Sequence, residues 1–280
     1  MKTNRIMIII AMLVLPLSVY ANGYLSNIAG VTILKISNTS ALALGVQFQE
    51  FGGGDRKIND MFTEDTIFPF TAGTGIADSD CMQIWDSAAG TYAQYFFGDE
   101  SLGYEKFWYL DGDDSEPTED ILSLGSFVWY MPKVAAERYI VLSGEVRTES
   151  FSFNLSRGVT HALAYPFPAP ISLFDIVDGG TIDWMNSGLV GGLSPMSADR
   201  LQVWVNSVGS SGGYNSYYFY EVPEIYWDTL SEEELELWNR KWFTLSDNWP
   251  TDPIPVGSGF WLQLKPSDGD CSITFPAVIN

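Results

Sequence analysis

A chain of 280 residues with 35 acidic and 14 basic side chains carries a formal charge of −21. A field of that sign repels nucleic acid and anionic lipid and favours cations or basic partners, which argues against a nucleic-acid-binding role. The length suits one large or two moderate domains of about 100–200 residues, either of which can bury a core.

The chain opens on Lys2 and Arg5, then an apolar run from Ile6 to Leu17, then the small residues Val19 and Ala21. This is the layout of a secretory signal over residues 1–21, with cleavage after Ala21 and a mature start at Asn22. The apolar run is shorter than the roughly 20 residues of a membrane span, and no later run approaches that length. No cysteine follows the cut, so a lipid anchor is not indicated. The expectation is an exported chain without a transmembrane segment, secreted or at the cell surface, with the periplasm as an alternative. Cleavage removes two bases and no acid, so the mature chain is more acidic still.

Short runs rich in Val, Ile, Phe, Tyr and Trp alternate with Gly, Asn, Asp, Ser and Pro clusters, the pattern of sandwiches and barrels. In chain order the predicted strands are Val31–Ile36, Ala43–Phe48, Met82–Trp85, Tyr92–Phe97, Lys106–Leu110, Phe127–Met131 and Tyr139–Leu142, then Phe151–Leu155, Thr160–Tyr165, Leu201–Val205, Tyr214–Tyr220, Lys241–Leu245, Gly259–Leu264 and Ile273–Phe275. One short helix is expected, because Ser231 stands three residues ahead of Glu234 in a capping box and acids fill its first turn. Leu235 and Trp238, three apart, share a face that lies down on the sheet.

The second set of strands rewrites the first. Asp80–Trp85 is answered by Asp199–Trp204, and Gly90–Phe97 by Gly212–Phe219. Lys106–Leu110 is matched by Lys241–Leu245, Pro117–Ile121 by Pro250–Ile254, and Leu124–Trp129 by Val256–Trp261. Looser pairings set Gly45-Val46 against Gly158-Val159 and Met61-Phe62 against Leu173-Phe174. The expected architecture is all-β, two homologous sandwich- or barrel-like domains from an internal duplication, with the short helix inserted in the second. The domains are residues 22–146 and 147–280, with the break at Ser143–Glu149, where Ser-Gly-Glu interrupts a strand-like run and the linker is too short to let them separate.

Alternation assigns the faces of the repeated hairpin: Met82 and Ile84 oppose Gln83 and Trp85, and Leu201 and Val203 oppose Gln202 and Trp204. Two readings of the Gln/Trp face stand. Trp85, Tyr92, Trp204 and Tyr214, with Tyr95 and Tyr217, fill a second core layer or the contact between copies. Alternatively Trp85, Tyr92, Trp204 and Tyr214 form an aromatic platform for a glycan, with two sites adding avidity. Exposure of Trp85 and Trp204 separates the readings.

Reactive groups are sparse. Cys81 and Cys271 are the only cysteines, either bridged in an oxidising compartment or buried singly. The single histidine, His161, lies in a strand-like run and no Gly-x-Ser-x-Gly elbow occurs, so a structural histidine is the expectation. Asp80 and Asp199 precede strands, where an Asx-turn is the ordinary role. The clusters Asp78–Asp80, Asp111–Asp114 and Asp268–Asp270 have the oxygen density of calcium loops without the twelve-residue frame, so they read as solvated turns. Paired carboxylates for glycan cleavage are not legible from sequence. No metal, catalytic residue or cofactor is indicated.

The order Asp-x-Leu/Met-Gln-Ile/Val-Trp, Gly-x-Tyr-x-x-Tyr-aromatic-Phe, an aromatic strand after Lys, and Gly-x-x-Phe-Trp resembles a family of uncharacterised two-copy secreted proteins of environmental Gram-negative bacteria. Its carriers here are Asp80–Phe97, Lys106–Trp129, Asp199–Phe219 and Lys241–Leu262, joined by Gly158–Pro168 with its Tyr165-Pro166-Phe167-Pro168. The first copy lacks those prolines at Gly45–Phe48. The resemblance implies export and all-β duplication and brings no activity or functional residues. The expected role is a non-catalytic structural or interaction protein at the cell surface or outside the cell, its partner a glycan or another surface protein. A carbohydrate-binding protein is the alternative, and a glycan-cleaving enzyme a more distant one. The sites where the copies differ, Ser231–Trp238, the turn Ser207–Gly213 and Arg200 in place of Cys81, are the better guide to function.

Overall fold

The computed structural model describes residues 29–276 except 37–40, 63–69, 137, 171, 174–181, 183, 185, 206–212, 247, 249 and 251–252. The expected leader and the Ser207–Gly213 turn, save its last residue, lie outside the described residues. The first half comprises β1 (Ala29–Ile36), β2 (Leu42–Gly45), β3 (Arg56–Lys57), α1 (Ile58–Met61), β4 (Cys81–Asp86), β5 (Thr91–Phe97), β6 (Trp108–Leu110), β7 (Ile121–Leu122), β8 (Phe127–Met131) and β9 (Arg138–Glu145). The second comprises β10 (Phe151–Leu155), β11 (Thr160–Ala164), β12 (Arg200–Val205), β13 (Gly213–Tyr220), α2 (Glu232–Trp238), β14 (Lys241–Thr244), β15 (Gly259–Gln263) and β16 (Cys271–Phe275). The fold is all-β, and every strand read from the alternation is present.

Each half is built on one antiparallel five-stranded sheet, in the order β2-β8-β4-β5-β6 and β11-β15-β12-β13-β14. Each sheet is backed by a two-stranded ribbon, β1-β9 in the first half and β10-β16 in the second. Core lies between sheet and ribbon. In the first half Leu44, Met82, Tyr95, Phe97, Val128 and Tyr130 of the sheet meet Ile36, Ile140 and Leu142 of the ribbon. In the second, Leu163, Leu201, Val203, Phe219 and Phe260 meet Leu155, Cys271, Ile273 and Phe275. These are the aliphatic and aromatic positions that period-2 alternation places on one face.

The register corrects several sequence pairings. Phe97 faces Trp108 and Phe219 faces Trp242, so the equivalent residues of β6 and β14 are the two fully buried tryptophans, one step from the lysine-based match. Gly45 faces Phe127 just as Ala164 faces Gly259, which equates Gly45-Val46 with Ala164-Tyr165 and replaces the pairing with Gly158-Val159. The Ser143-Gly144-Glu145 run does not interrupt its strand: β9 continues through it, paired to Ala29–Val31. Glycine is there for space, because a β-carbon on Gly144 would stand 2.9 Å from Phe48 Cβ, and nearer to the Gln49 carbonyl. Sequence reading also omitted β3, β7 and α1, whose Ile58 and Met61 close one end of the first core.

The expected helix forms as read. Ser231 caps α2, its hydroxyl accepting from the Glu234 amide while the Glu234 carboxylate accepts from the Ser231 amide. Trp238 stacks on Phe243 of β14 with centroids 5.8 Å apart and planes 17° from parallel.

Candidate functional site

The hairpin aromatics are placed where the two halves meet. Trp85 packs edge-on against Tyr92 at 5.0 Å and against Trp261 of the other half at 5.4 Å. Trp204 repeats this against Tyr214 at 5.0 Å and against Trp129 at 5.0 Å. Each indole N–H crosses the contact: Trp85 Nε1 donates to the Thr160 carbonyl at 2.8 Å, and Trp204 Nε1 to the Ala41 carbonyl at 3.1 Å. Backbone bonds cross in the same reciprocal way, from the Gly45 amide to the Gly257 carbonyl at 2.7 Å and from the Ala164 amide to the Gly125 carbonyl at 2.5 Å. Trp85, Tyr92 and Trp204 are therefore half-buried against the opposite sheet, and only Tyr214, 44% exposed, retains much open surface. Tyr92 loses water here, which raises its phenol above the ordinary range, while the Trp129 side chain hydrogen-bonds it and works the other way. Of the two readings of this face, the contact between halves is the one the structure matches for Trp85, Tyr92 and Trp204, whereas Tyr95 and Tyr217 point to the opposite face of their strands and lie in the cores of their own halves.

The other residues singled out by sequence are occupied internally. Asp80 is wholly buried and accepts from the Thr71 amide at 3.0 Å, the Lys133 amide at 2.7 Å and the Tyr130 hydroxyl at 2.6 Å. Asp199 accepts from the Val190 and Lys265 amides at 2.8 and 2.6 Å, and its third partner is Arg157, an ion pair at 3.3 Å. Both aspartates thus tie two loops to the start of a strand, a larger task than an Asx-turn. Asp78 closes its own turn by accepting from the Thr74 and Gly75 amides. His161 is buried with Nε2 at 2.8 Å from the Ser156 carbonyl. The Cys81–Cys271 bridge is not formed: both thiols are free and buried, one on β4 and the other in the second core. Burial pushes each thiol up to about 11. Among the described residues there is no group of three or more His, Cys, Asp or Glu side chains placed to hold a metal, and no helix long and apolar enough to cross a membrane.

An open cleft lies elsewhere, in the second half, with a volume of about 530 Å³. One wall is the loop Gly191–Ser197, fixed by Asp199 and by the Gly192 amide donating to the Phe219 carbonyl. The other wall is Glu221–Trp227, which leaves β13 and turns through a 3-10 helix, Glu224–Thr229. Gly191 lets the walls approach, since a β-carbon there would fall 2.7 Å from Glu221 Oε2, and Gly192 lets its own loop fold tightly, since a β-carbon there would fall 3.0 Å from Ser197 Cβ. Trp227 is oriented by its own backbone, its Nε1 donating to the Val222 carbonyl at 2.9 Å, and stays 43% exposed opposite Leu193, which is 56% exposed. Val222 is held in turn by its amide donating to Asn239 Oδ1. Arg240 holds Glu221, pairing with it at 3.3 Å and donating to the Leu189 carbonyl at 3.1 Å. Among the described residues it is the only non-glycine with positive φ, at 56°.

In the first half the link from β5 to β6 is shorter. There the shorter loop brings Tyr104 Cβ to 2.8 Å from where a β-carbon on Gly98 would stand, and the Tyr104 ring packs edge-on to Phe96 and Tyr109. One wall of the cleft belongs to the insertion between β13 and β14, one of the places where the halves differ in length. Sequence reading reached its helix but missed Pro223–Thr229. The signal was an aromatic pair, Tyr226-Trp227, in an acidic stretch outside any alternating strand. What the cleft presents is an indole face, aliphatic side chains and carboxylates. No family model, curated protein or solved structure matches the chain.

Proposed function

We propose that this chain is an exported interaction protein, with a duplicated β framework as scaffold and the insertion in its second half as the binding element. The observation that carries the reading is the fate of the aromatics. Those on the repeated hairpins are spent on holding the halves together, whereas Ile225, Tyr226 and Trp227 on the insertion stay 77%, 50% and 43% exposed around a cleft. Large contiguous apolar exposure on a folded chain marks a surface that meets something else. Export rests on the leader pattern at residues 1–21, and the duplication on the shared strand order and reciprocal contacts.

The test uses cells that produce the protein. N-terminal sequencing of the extracellular or surface-held product should begin at Asn22. Its partition between cell surface and medium, followed by immunoblot, should shift to the medium in Trp227→Ala combined with Leu193→Asp, with the same thermal stability as wild type. An unchanged partition in that variant removes the cleft from the function.

A further inference from the structure

Resting on the reading of the cleft as a binding site, we propose that its occupant is a basic, extended polypeptide segment. A lysine or arginine lies on the Trp227 indole within reach of Glu224, and the aliphatic neighbours of that side chain cover Leu193.

The cleft's hydrogen-bonding sense selects the cation. Its side-chain polar groups are the carboxylates of Glu221 and Glu224 and the hydroxyl of Ser197, which already donates to the Ser194 carbonyl at 3.1 Å. The Trp227 N–H is committed to Val222, so the ring offers its π face and no donor. A site made of acceptors suits ammonium and guanidinium groups, which only donate. Sugar hydroxyls both donate and accept, and these side chains offer them no uncommitted donor. Charge complementarity points the same way. Between Glu221 and Asn239 the chain carries a series of Glu and Asp and no lysine or arginine. Arg240 neutralises Glu221, while among the described residues no cation pairs with Glu224. The whole chain, at −21, steers basic partners toward itself. Indole faces add cation–π attraction. The exposed Leu193, Ile225 and Tyr226 beside the cleft give a polypeptide's apolar side chains a place to lie, which a simple polyamine would leave bare.

Titration of the full exported chain, read by tryptophan fluorescence and calorimetry, decides the matter. Four probes are compared: a blocked octapeptide alternating arginine with leucine, its glutamate-for-arginine counterpart, spermine and cellohexaose. Expected is one-to-one binding of the basic peptide alone, weakened by salt. Trp227→Phe should bind nearly as wild type. Trp227→Ala and Glu224→Gln should each weaken it about two- to fivefold, as fits a single exposed cation–π or charge contact. Asp268→Asn, an exposed acid on another loop, should leave it unchanged. Equal losses for Asp268→Asn and Glu224→Gln, or non-saturating binding, mean diffuse attraction and overturn the proposal, as does spermine binding as tightly as the peptide. Trp227-dependent binding of cellohexaose without the basic peptide overturns the cation while leaving the cleft as the site.

Discussion

The contact between the halves breaks its own symmetry at one pair, and that pair gives the sharpest stability test. Phe127 and Gly259 occupy equivalent positions on β8 and β15, yet the Phe127 ring fills the space that Gly259 leaves empty. A β-carbon built on Gly259 would stand within 2.6 Å of Phe127 Cβ and Cδ1, and nearer still to Cγ. Gly259→Ala is therefore an overpacking substitution, worth about 1–3 kcal/mol. Phe127→Ala empties a site that is 2% exposed and should cost about 3–5 kcal/mol. In the double variant the contacts with Cγ and Cδ1 are gone while the β-carbon of residue 127 still stands 2.6 Å from the new methyl, so the overpacking is relieved in part. Its total cost should fall short of the sum of the two single costs, with a coupling of about 1 kcal/mol. Urea unfolding of the four proteins measures the cycle. One transition should move in both single variants, although Phe127 and Gly259 lie in different halves. Additivity within about 0.5 kcal/mol, or a variant that shifts only part of a split transition, would refute the packing argument.

Alkylation at pH 8 should leave Cys81 and Cys271 unmodified in the native chain and label both in guanidinium, with no mass change on prior reduction. The native thiols sit at about 11 against roughly 8.5 for a free thiol. They stay protonated while the unfolded chain ionises, so stability is flat below about pH 8.5 and falls above it. Tyr95 behaves likewise at higher pH. Burial, then its hydrogen bond to Asp120, raises its phenol, so absorbance at 295 nm should show it silent until unfolding. Stability should decline above about pH 10, less steeply in Tyr95→Phe. Asp199→Ala should cost about 3–5 kcal/mol by stranding the buried Arg157. Adding Arg157→Met should recover part of that loss in urea unfolding and none of the loss from Asp80→Ala, whose third partner is the Tyr130 hydroxyl.

Strands were legible because each buries one face, and burial of one face writes period-2 alternation into the residues. Elements of two to four residues, such as β3, β7 and α1, carry too few positions to show a period. The pairing of β6 with β14 slipped by one because the lysines were aligned. Lys241 lies in its strand whereas Lys106 precedes one, and the buried tryptophans were the better anchor. Alternation put Trp85 and Trp204 on the second face but could not say what covers that face, since their partners Thr160 and Ala41 are remote in sequence. The cleft was illegible for the same reason. Its walls are separated in sequence by β12 and β13 and are joined by hydrogen bonds between Gly192 and the Phe219–Glu221 backbone and by Arg240, which bridges Glu221 and Leu189.

The second face of each sheet must be covered twice, once by the opposite half and once by a local loop. The aromatic patch beyond the contact, Phe96 and Tyr109 in the first half and Tyr218 and Phe243 in the second, shows how the local loops differ. In the first half the loop between β5 and β6 covers the patch with Tyr104 and ends. In the second half α2 does this with Trp238, and its capping box, a local device worth about 0.5–2 kcal/mol, lets it hold that place. The 3-10 turn ahead of α2 is then left without a packing task, yet it carries Ile225, Tyr226 and Trp227 into solvent. Such exposure invites self-association, and the acids interspersed from Glu221 to Glu236 oppose it through like-charge repulsion. The basic partner proposed above would meet three large apolar side chains held outside the core and surrounded by one sign of charge.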